Sequence, residues 1–181
     1  MISLEKLLTM PKNPLAGIVI DMQMHFIQKH SSLRIKEIKK AQIRMIRYFA
    51  SQSIPVLVLE YRGNGDTIKE LKDVISTVPY HTCLREYERY FTKSDDDGFT
   101  NPMLLEILEA LGSEHLVLMG VNASSCVRRT AQSAKGNGFY VSSSEDLISD
   151  CKPDINPKVW YERNCRYYTR TAEDLILKLK G

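Results

Sequence analysis

Leu116-Val117-Leu118-Met119-Gly120-Val121-Asn122-Ala123-Ser124-Ser125-Cys126-Val127-Arg128-Arg129-Thr130-Ala131 changes its periodicity part-way along. Leu116 to Val121 is an unbroken, partly β-branched apolar run, the pattern of a strand buried on both faces. Val127, Thr130, Ala131 and Ala134 then fall on one side of a helix, which Gly136 or Gly138 can close. Cys126 therefore stands between a strand end and a helix start. Unpaired backbone N–H groups and the helix dipole favour a thiolate there and can also bind an oxyanion.

The same strand-then-helix pattern recurs on either side. Leu15 to Ile20 and Val56 to Leu59 are further buried-strand runs, with Pro55 marking the start of the second, and Ser32 to Ala50 supplies a crossover helix between them. A shorter strand is expected at Tyr87 to Phe91 and another at Phe139 to Ser142. Asn101-Pro102 is an N-cap and first-turn pair for a helix over Met103 to Leu111 that Gly112 can end. Thr171 and Asp174 have capping-box spacing ahead of a closing helix. The alternation predicts a three-layer α/β/α fold with a mostly parallel central sheet, spanning 1–181 as one domain. Asp66 to Pro79 and Asp150 to Pro157 are expected to be loops or short excursions.

Bulk properties remove several classes of function. The formal charge of +3 on 181 residues is too small to announce a nucleic-acid partner. The densest basic stretch, Arg34 to Arg47, is interleaved with apolar residues at helical spacing and reads as the wet side of an amphipathic helix. Met1 to Pro11 lacks the apolar centre and cleavage site of a secretory signal, and no apolar run is long enough to span a bilayer. A soluble, cytoplasmic protein without membrane partners is expected. Cys83, Cys126, Cys151 and Cys165 show no Cys-x-x-Cys pair and no zinc-ligand spacing to histidine, so they read as separate thiols.

In open parallel sheets the ligand lies outside the carboxyl ends of the strands. The first strand ends at Asp21, the second at Glu60, Tyr61 and Arg62, the short one is followed by Lys93, and the long one leads to Cys126. An acid, a cation and a thiol are thus delivered to one edge. An ammonium from Lys93 would lower the thiol pKa, and a carboxylate from Asp21 would accept its proton.

Three ordered blocks resemble the isochorismatase-like cysteine hydrolases, the group that includes nicotinamidases and N-carbamoylsarcosine amidohydrolases. They are Gly17 to Gln23 with its acid, Lys93-Ser94 through Gly98-Phe99-Thr100-Asn101, and Gly120 to Ala131 with its cysteine. The resemblance implies that Asp21 is the general base, Lys93 the supporting cation and Cys126 the nucleophile. It also implies a cis peptide between Val121 and Asn122, with the N–H groups of Asn122 and Cys126 meeting the substrate oxygen. The implied activity is metal-independent hydrolysis of a C–N bond in a small amide or ureido substrate through a thioester, without a cofactor. Members that cleave the vinyl ether of isochorismate lack this cysteine. Nicotinamidases carry a metal-binding Asp and His cluster where this chain has Glu60 to Asp66 without histidine, so no metal is expected.

Other residues stay open at this level. Arg62 fits either a two-pronged hold on a substrate carboxylate or a surface ion pair, and Glu60 fits a role in fixing loops. The resemblance places Phe99 near the pocket, although an aromatic at a helix start also reads as packing. Asp95-Asp96-Asp97 reads as a solvated turn, and His25, His30, His81 and His115 as structural. A catalytically silent binding protein on the same scaffold is the alternative function, and a thiol-based redox sensor is a weaker third. A homodimer or higher homo-oligomer is expected from the resemblance and from the commonness of symmetric pairs.

Overall fold

A computed structural model of the chain describes residues 12–79, 89–152 and 156–180. Strands β1 (Leu15–Ile20), β2 (Val56–Tyr61), β3 (Tyr90–Lys93), β4 (His115–Val121), β5 (Tyr140–Ser144), β6 (Ile148–Ser149) and β7 (Tyr167–Thr169) form one sheet. Its order is β3-β2-β1-β4-β5-β7, with β6 pairing the end of β4, and every ladder is parallel. Strands β1, β2 and β4 are almost wholly buried, as runs covered by helices on both faces must be.

Helix α1 (Met24–Ile27) is a single turn after β1, and α2 (Ser32–Ser51) is the long crossover. Ser31 caps α2 by accepting from the Arg34 N–H, and Ile35, Ile38, Met45, Ile46 and Phe49 form its buried stripe. The basic residues between them lie outside that stripe, as expected. Helix α2 packs with α3 (Lys69–Ile75) and α7 (Ala172–Lys180). The nucleophile-bearing helix α5 (Cys126–Gly136) packs against β4, β5 and a 3-10 turn at Gly98–Thr100, which also meets α4 (Pro102–Ala110). Two helical layers therefore enclose the sheet.

The caps read from sequence are made. Asn101 accepts from the Met103 N–H with Pro102 in the first turn, Gly112 continues beyond α4 with φ +65°, and Thr171 accepts from the Asp174 N–H. Other elements differ from expectation or fall where none was stated. Residues 66–79 hold the helix α3, which its length of seven residues concealed, since Leu71 and Ile75 alone mark its buried side. The short strand is shifted toward Lys93, so that Lys93 ends β3 instead of following it; Tyr87, like His81 and Cys83, lies outside the described residues. The strand expected from Phe139 begins at Tyr140 and runs to Ser144, and α6 (Lys158–Asn164) and β7 occupy a stretch without strong periodicity.

The chain runs outward from β1 through β2 to β3, then crosses back to place β4 on the other side of β1. That reversal opens a crevice at the carboxyl ends of β1 and β4, the place where such sheets bind ligands. The two strands approach closely there. Gly120 has φ +143°, and a Cβ at this position would run into the Ile20 carbonyl.

Two outcomes follow for stability. Gly120→Ala combines an unfavourable φ with that collision and is expected to destabilise the chain by at least about 3 kcal/mol in chemical denaturation. At the opposite end of β4, His115 bonds Ser142 Oγ at 2.7 Å, and burial, with Arg166 nearby, lowers its pKa to about 4. The unfolded chain takes up this proton first as pH falls below the ordinary histidine value. The denaturant midpoint should therefore drop from pH 6.5 toward pH 4, and drop less in His115→Gln.

Candidate active site

Asp21 is the first residue after β1 and sits in the left-handed region with φ +53°, while its N–H still donates to the Leu59 carbonyl. An aspartate tolerates that region better than a bulky or branched residue does, and strained backbone of this kind gathers at functional sites. The turn points the carboxylate inward. Lys93 Nζ lies 2.8 Å from Asp21 Oδ2, and both side chains are 0% exposed. The approach has the distance of an ion pair but not the angle of a good hydrogen bond, and both Asp21 oxygens lack a well-directed partner among the described residues. Lys93 also donates to the Asp95 carbonyl at 3.0 Å and lies 4.6 Å from the centre of the Tyr61 ring. A fully enclosed ammonium needs such a set of partners, because burying it unpaired is prohibitive.

Cys126 opens α5 and is 3% exposed. Its thiol faces Asp21 on the buried side and donates to Asp96 Oδ1 at 3.4 Å on the outer side. The acidic run is thus more than a solvated turn. Asp97 Oδ1 caps the 3-10 turn by accepting from the Phe99 N–H, its other oxygen accepts from Ser133 Oγ, and the Gly98 N–H donates to Thr130 Oγ1. These bonds tie the lysine loop to the cysteine helix. Asp95 conforms to the solvated reading, being exposed and contributing its carbonyl to Lys93.

The Val121–Asn122 peptide is cis. The turn that follows is held from several sides: Ala123 N–H donates to the Ser149 carbonyl, Ser124 N–H to Asp150 Oδ2, and Tyr161 O–H to the Ala123 carbonyl. Val127 N–H and Ser125 N–H both donate to the Asn122 carbonyl. No hydrogen bond among the described residues uses the N–H of Asn122 or of Cys126, and both flank the thiol in sequence. His30 bonds Asn122 Oδ1 through Nε2 and Ser149 Oγ through Nδ1, each at 3.1 Å. Burial lowers the His30 pKa against the raising pull of Asn122 and Asp150.

The electrostatics correct one expectation. Burial, reinforced by the Asp21 carboxylate, pushes the Cys126 thiol up to about 12 and outweighs the lowering by Lys93. Burial also raises the Asp21 pKa against the pull of Lys93. The site at rest thus holds a protonated thiol beside a basic carboxylate, instead of the acidified thiol expected from the helix start and Lys93.

The Arg62 backbone N–H donates to the Lys93 carbonyl, and its exposed side chain makes no hydrogen bond or ion pair among the described residues. Phe99 packs against Phe139 with ring centres 6.1 Å apart. Glu60 accepts from the Thr67 N–H and does fix the adjoining loop. Gln23 clamps the end of β2, accepting from Tyr61 N–H and donating to the Tyr61 carbonyl. Sequence reading gave no role to Gln23, His30, Asp96 or Asp150. Asp97 alone had a local signal, since an aspartate one residue before Gly98-Phe99 is a turn cap. Among the described residues no three side chains of metal-binding type come together, and no helix is long and apolar enough to cross a membrane.

Fold and site together define a parallel α/β hydrolase scaffold with a thiol at its switch-point crevice. A family model for the isochorismatase domain matches residues 16–162, and the chain belongs to that family. It is 36% identical over 135 residues to the secreted isochorismatase effector Isc1 of Verticillium dahliae, covering 74% of this chain and 71% of that protein. In structure it is similar to the MAR1 ribonuclease of Caenorhabditis elegans, with a TM-score of 0.71 and 24% identity over 92% of this chain and 82% of that one. It is also similar to the N-carbamoylsarcosine amidase of Thermoplasma acidophilum, with a TM-score of 0.68 and 21% identity over 89% and 98%. At those identities the structural likeness concerns the fold.

The charge arrangement dictates how thiol reactivity must respond to substitution. Asp21→Asn removes the anion that opposes thiolate formation and should move the pH midpoint of Cys126 alkylation by iodoacetamide downward. Lys93→Met should move it upward. Peptide mass mapping of the modified cysteine reads both shifts, and the reverse order would contradict the assigned electrostatics.

Proposed function

We propose that the chain is a cysteine hydrolase that cleaves the C–N bond of a small amide or ureido substrate. The observation that carries this reading is the enclosure of Asp21 between the Lys93 ammonium and the Cys126 thiol at the sheet's switch point. Asp21 takes the thiol proton as Sγ bonds to the substrate carbonyl carbon, and Lys93 compensates the negative charge left in the enclosed space. The carbonyl oxygen becomes an oxyanion opposite the uncommitted N–H groups of Asn122 and Cys126. Asp21 returns its proton to the leaving nitrogen as the C–N bond breaks, which leaves a thioester on Cys126. Water then adds to the thioester, giving its proton to Asp21, and the C–S bond breaks with that proton restored to sulfur.

The Verticillium relative is an isochorismatase effector by name, and isochorismatases act on a C–O bond. The reactive-sulfur arrangement favours acyl transfer for this chain, because a thiol between a base and two N–H donors serves carbonyl attack. A second reading, a binding protein without turnover, is favoured by the raised thiol pKa.

Turnover on a panel of primary amides and ureides separates them. Cys126→Ala should lower kcat/KM by at least about a thousandfold on any substrate found. Undiminished turnover in that variant would end the cysteine-hydrolase reading, and a thiol inert to alkylation at every pH short of unfolding would favour the binding protein.

A further inference from the structure

Asp96 occupies the open side of the thiol. Its Oδ1 is the hydrogen-bond acceptor of Cys126 Sγ at 3.4 Å, and its side chain retains 38% of its surface exposure, whereas Asp21 and Lys93 on the other side are fully enclosed. The carboxylate is held in place from both flanks. Lys93 binds the Asp95 carbonyl, Asp97 is bonded to Ser133, and Gly98 is bonded to Thr130. Of the three charged groups placed against the sulfur, Asp96 alone retains solvent exposure.

The neighbouring charges leave it largely uncompensated. Lys93 is committed to Asp21 at 2.8 Å. Arg129 Nε stands 3.7 Å from Asp96 Oδ2 but is 62% exposed, so solvent and salt screen its contribution. Among the described residues no other cation contacts the cluster. The Arg62 side chain, open in sequence between a substrate contact and a surface ion pair, is exposed and has no ion pair among the described residues. Asp96 is itself part-exposed and partly screened, but a unit charge in contact with the reacting atom acts with opposite sign on a cation and an anion, so the two differ by about an order of magnitude in approach.

We propose that Asp96 is a specificity-determining residue that restricts this site to neutral or cationic amide and ureido substrates and repels anionic ones. The proposal rests on Cys126 being the reacting group, as in the hydrolase reading. Substrates bearing an ammonium or a pair of N–H donors near the scissile bond are held by Asp96. Those bearing a carboxylate or phosphate there are excluded.

The test needs no substrate. The full-length protein is treated with 2-aminoethyl methanethiosulfonate, a cation, or 2-sulfonatoethyl methanethiosulfonate, an anion. Each forms a mixed disulfide with the thiolate and expels methanesulfinate, and the rate at Cys126 is read by peptide mass. The cation-to-anion rate ratio, divided by the ratio for 2-mercaptoethanol under the same conditions, is expected to be at least about ten. Asp96→Asn should bring it to within about threefold of unity, Asp96→Glu should keep it, and Arg129→Ala should raise it. A ratio near one in the unsubstituted chain, or one that Asp96→Asn leaves in place, would overturn the proposal while leaving the hydrolase reading intact. A Cys126 that neither reagent modifies would overturn both, since a sulfur beyond the reach of small reagents has no entrance for Asp96 to guard.

Discussion

The arrangement of this protein turns on one buried ion pair. Asp21 and Lys93 come from strands that do not touch each other, with β2 lying between β1 and β3. Neither charge is tolerable alone in an enclosed space, and each makes the other tolerable. The pair therefore demands that three strand ends be registered, and much of the surrounding polar structure serves that register. Gln23 locks the end of β2 through Tyr61, Tyr61 lays its ring beside the ammonium, and the Asp95 carbonyl covers the remaining side. Such a pair is weak evidence for stability, because an apolar replacement of equal volume would serve packing as well. Its retention beside a thiol makes sense as chemistry: the carboxylate is kept basic by burial, and the cation is kept where new negative charge would develop.

The sulfur is delivered to that pair by a second set of constraints. Gly120 lets β4 press against β1, the chain turns through Asn122 to Ser125, and α5 begins at the thiol itself. Because the turn is bonded to Ser149, Asp150 and Tyr161, its shape is set from the far side of the sheet by β6 and α6. His30, from the loop after α1, holds the Asn122 side chain. The lysine loop is bonded to α5 through Asp97–Ser133 and Gly98–Thr130, which joins the segment carrying the cation and outer carboxylate to the helix carrying the sulfur. Rigid elements on both sides thus fix groups that individually lie on loops, the usual way in which a scaffold gives loop residues a defined geometry.

Much of this fold was legible in the chain because its central strands are buried on both faces and read as continuous apolar runs. Caps such as Asn101-Pro102 and Thr171 with Asp174 are local chemistry, and local chemistry survives folding unchanged. The helix at Lys69–Ile75 and the segments Lys158–Asn164 and Tyr167–Thr169 were not legible: they are short, half-buried and defined by what they pack against. The acid, cation and thiol stood out because strand ends are marked in sequence. The other participants did not. Asp96 looks like its neighbours Asp95 and Asp97 in the string, yet one is exposed, one touches the sulfur and one caps a turn. His30 has no spacing that ties it to Asn122, ninety-two positions away.

By itself, then, the sequence determined the alternation of buried strands and amphipathic helices, the parallel sheet that alternation requires, and which residue types end its strands. Periodicity and capping are properties of neighbours along the chain, so they need no knowledge of the whole. Tertiary structure alone decided the protonation of the site. Whether Lys93 or burial governs Cys126 depends on how much water is removed and how close Asp21 lies, and here burial and the carboxylate win. It alone also decided that Asp96, of the three consecutive aspartates, meets the sulfur. Distances between side chains from separate strands, and the dielectric in which their charges act, exist only once those strands have been assembled.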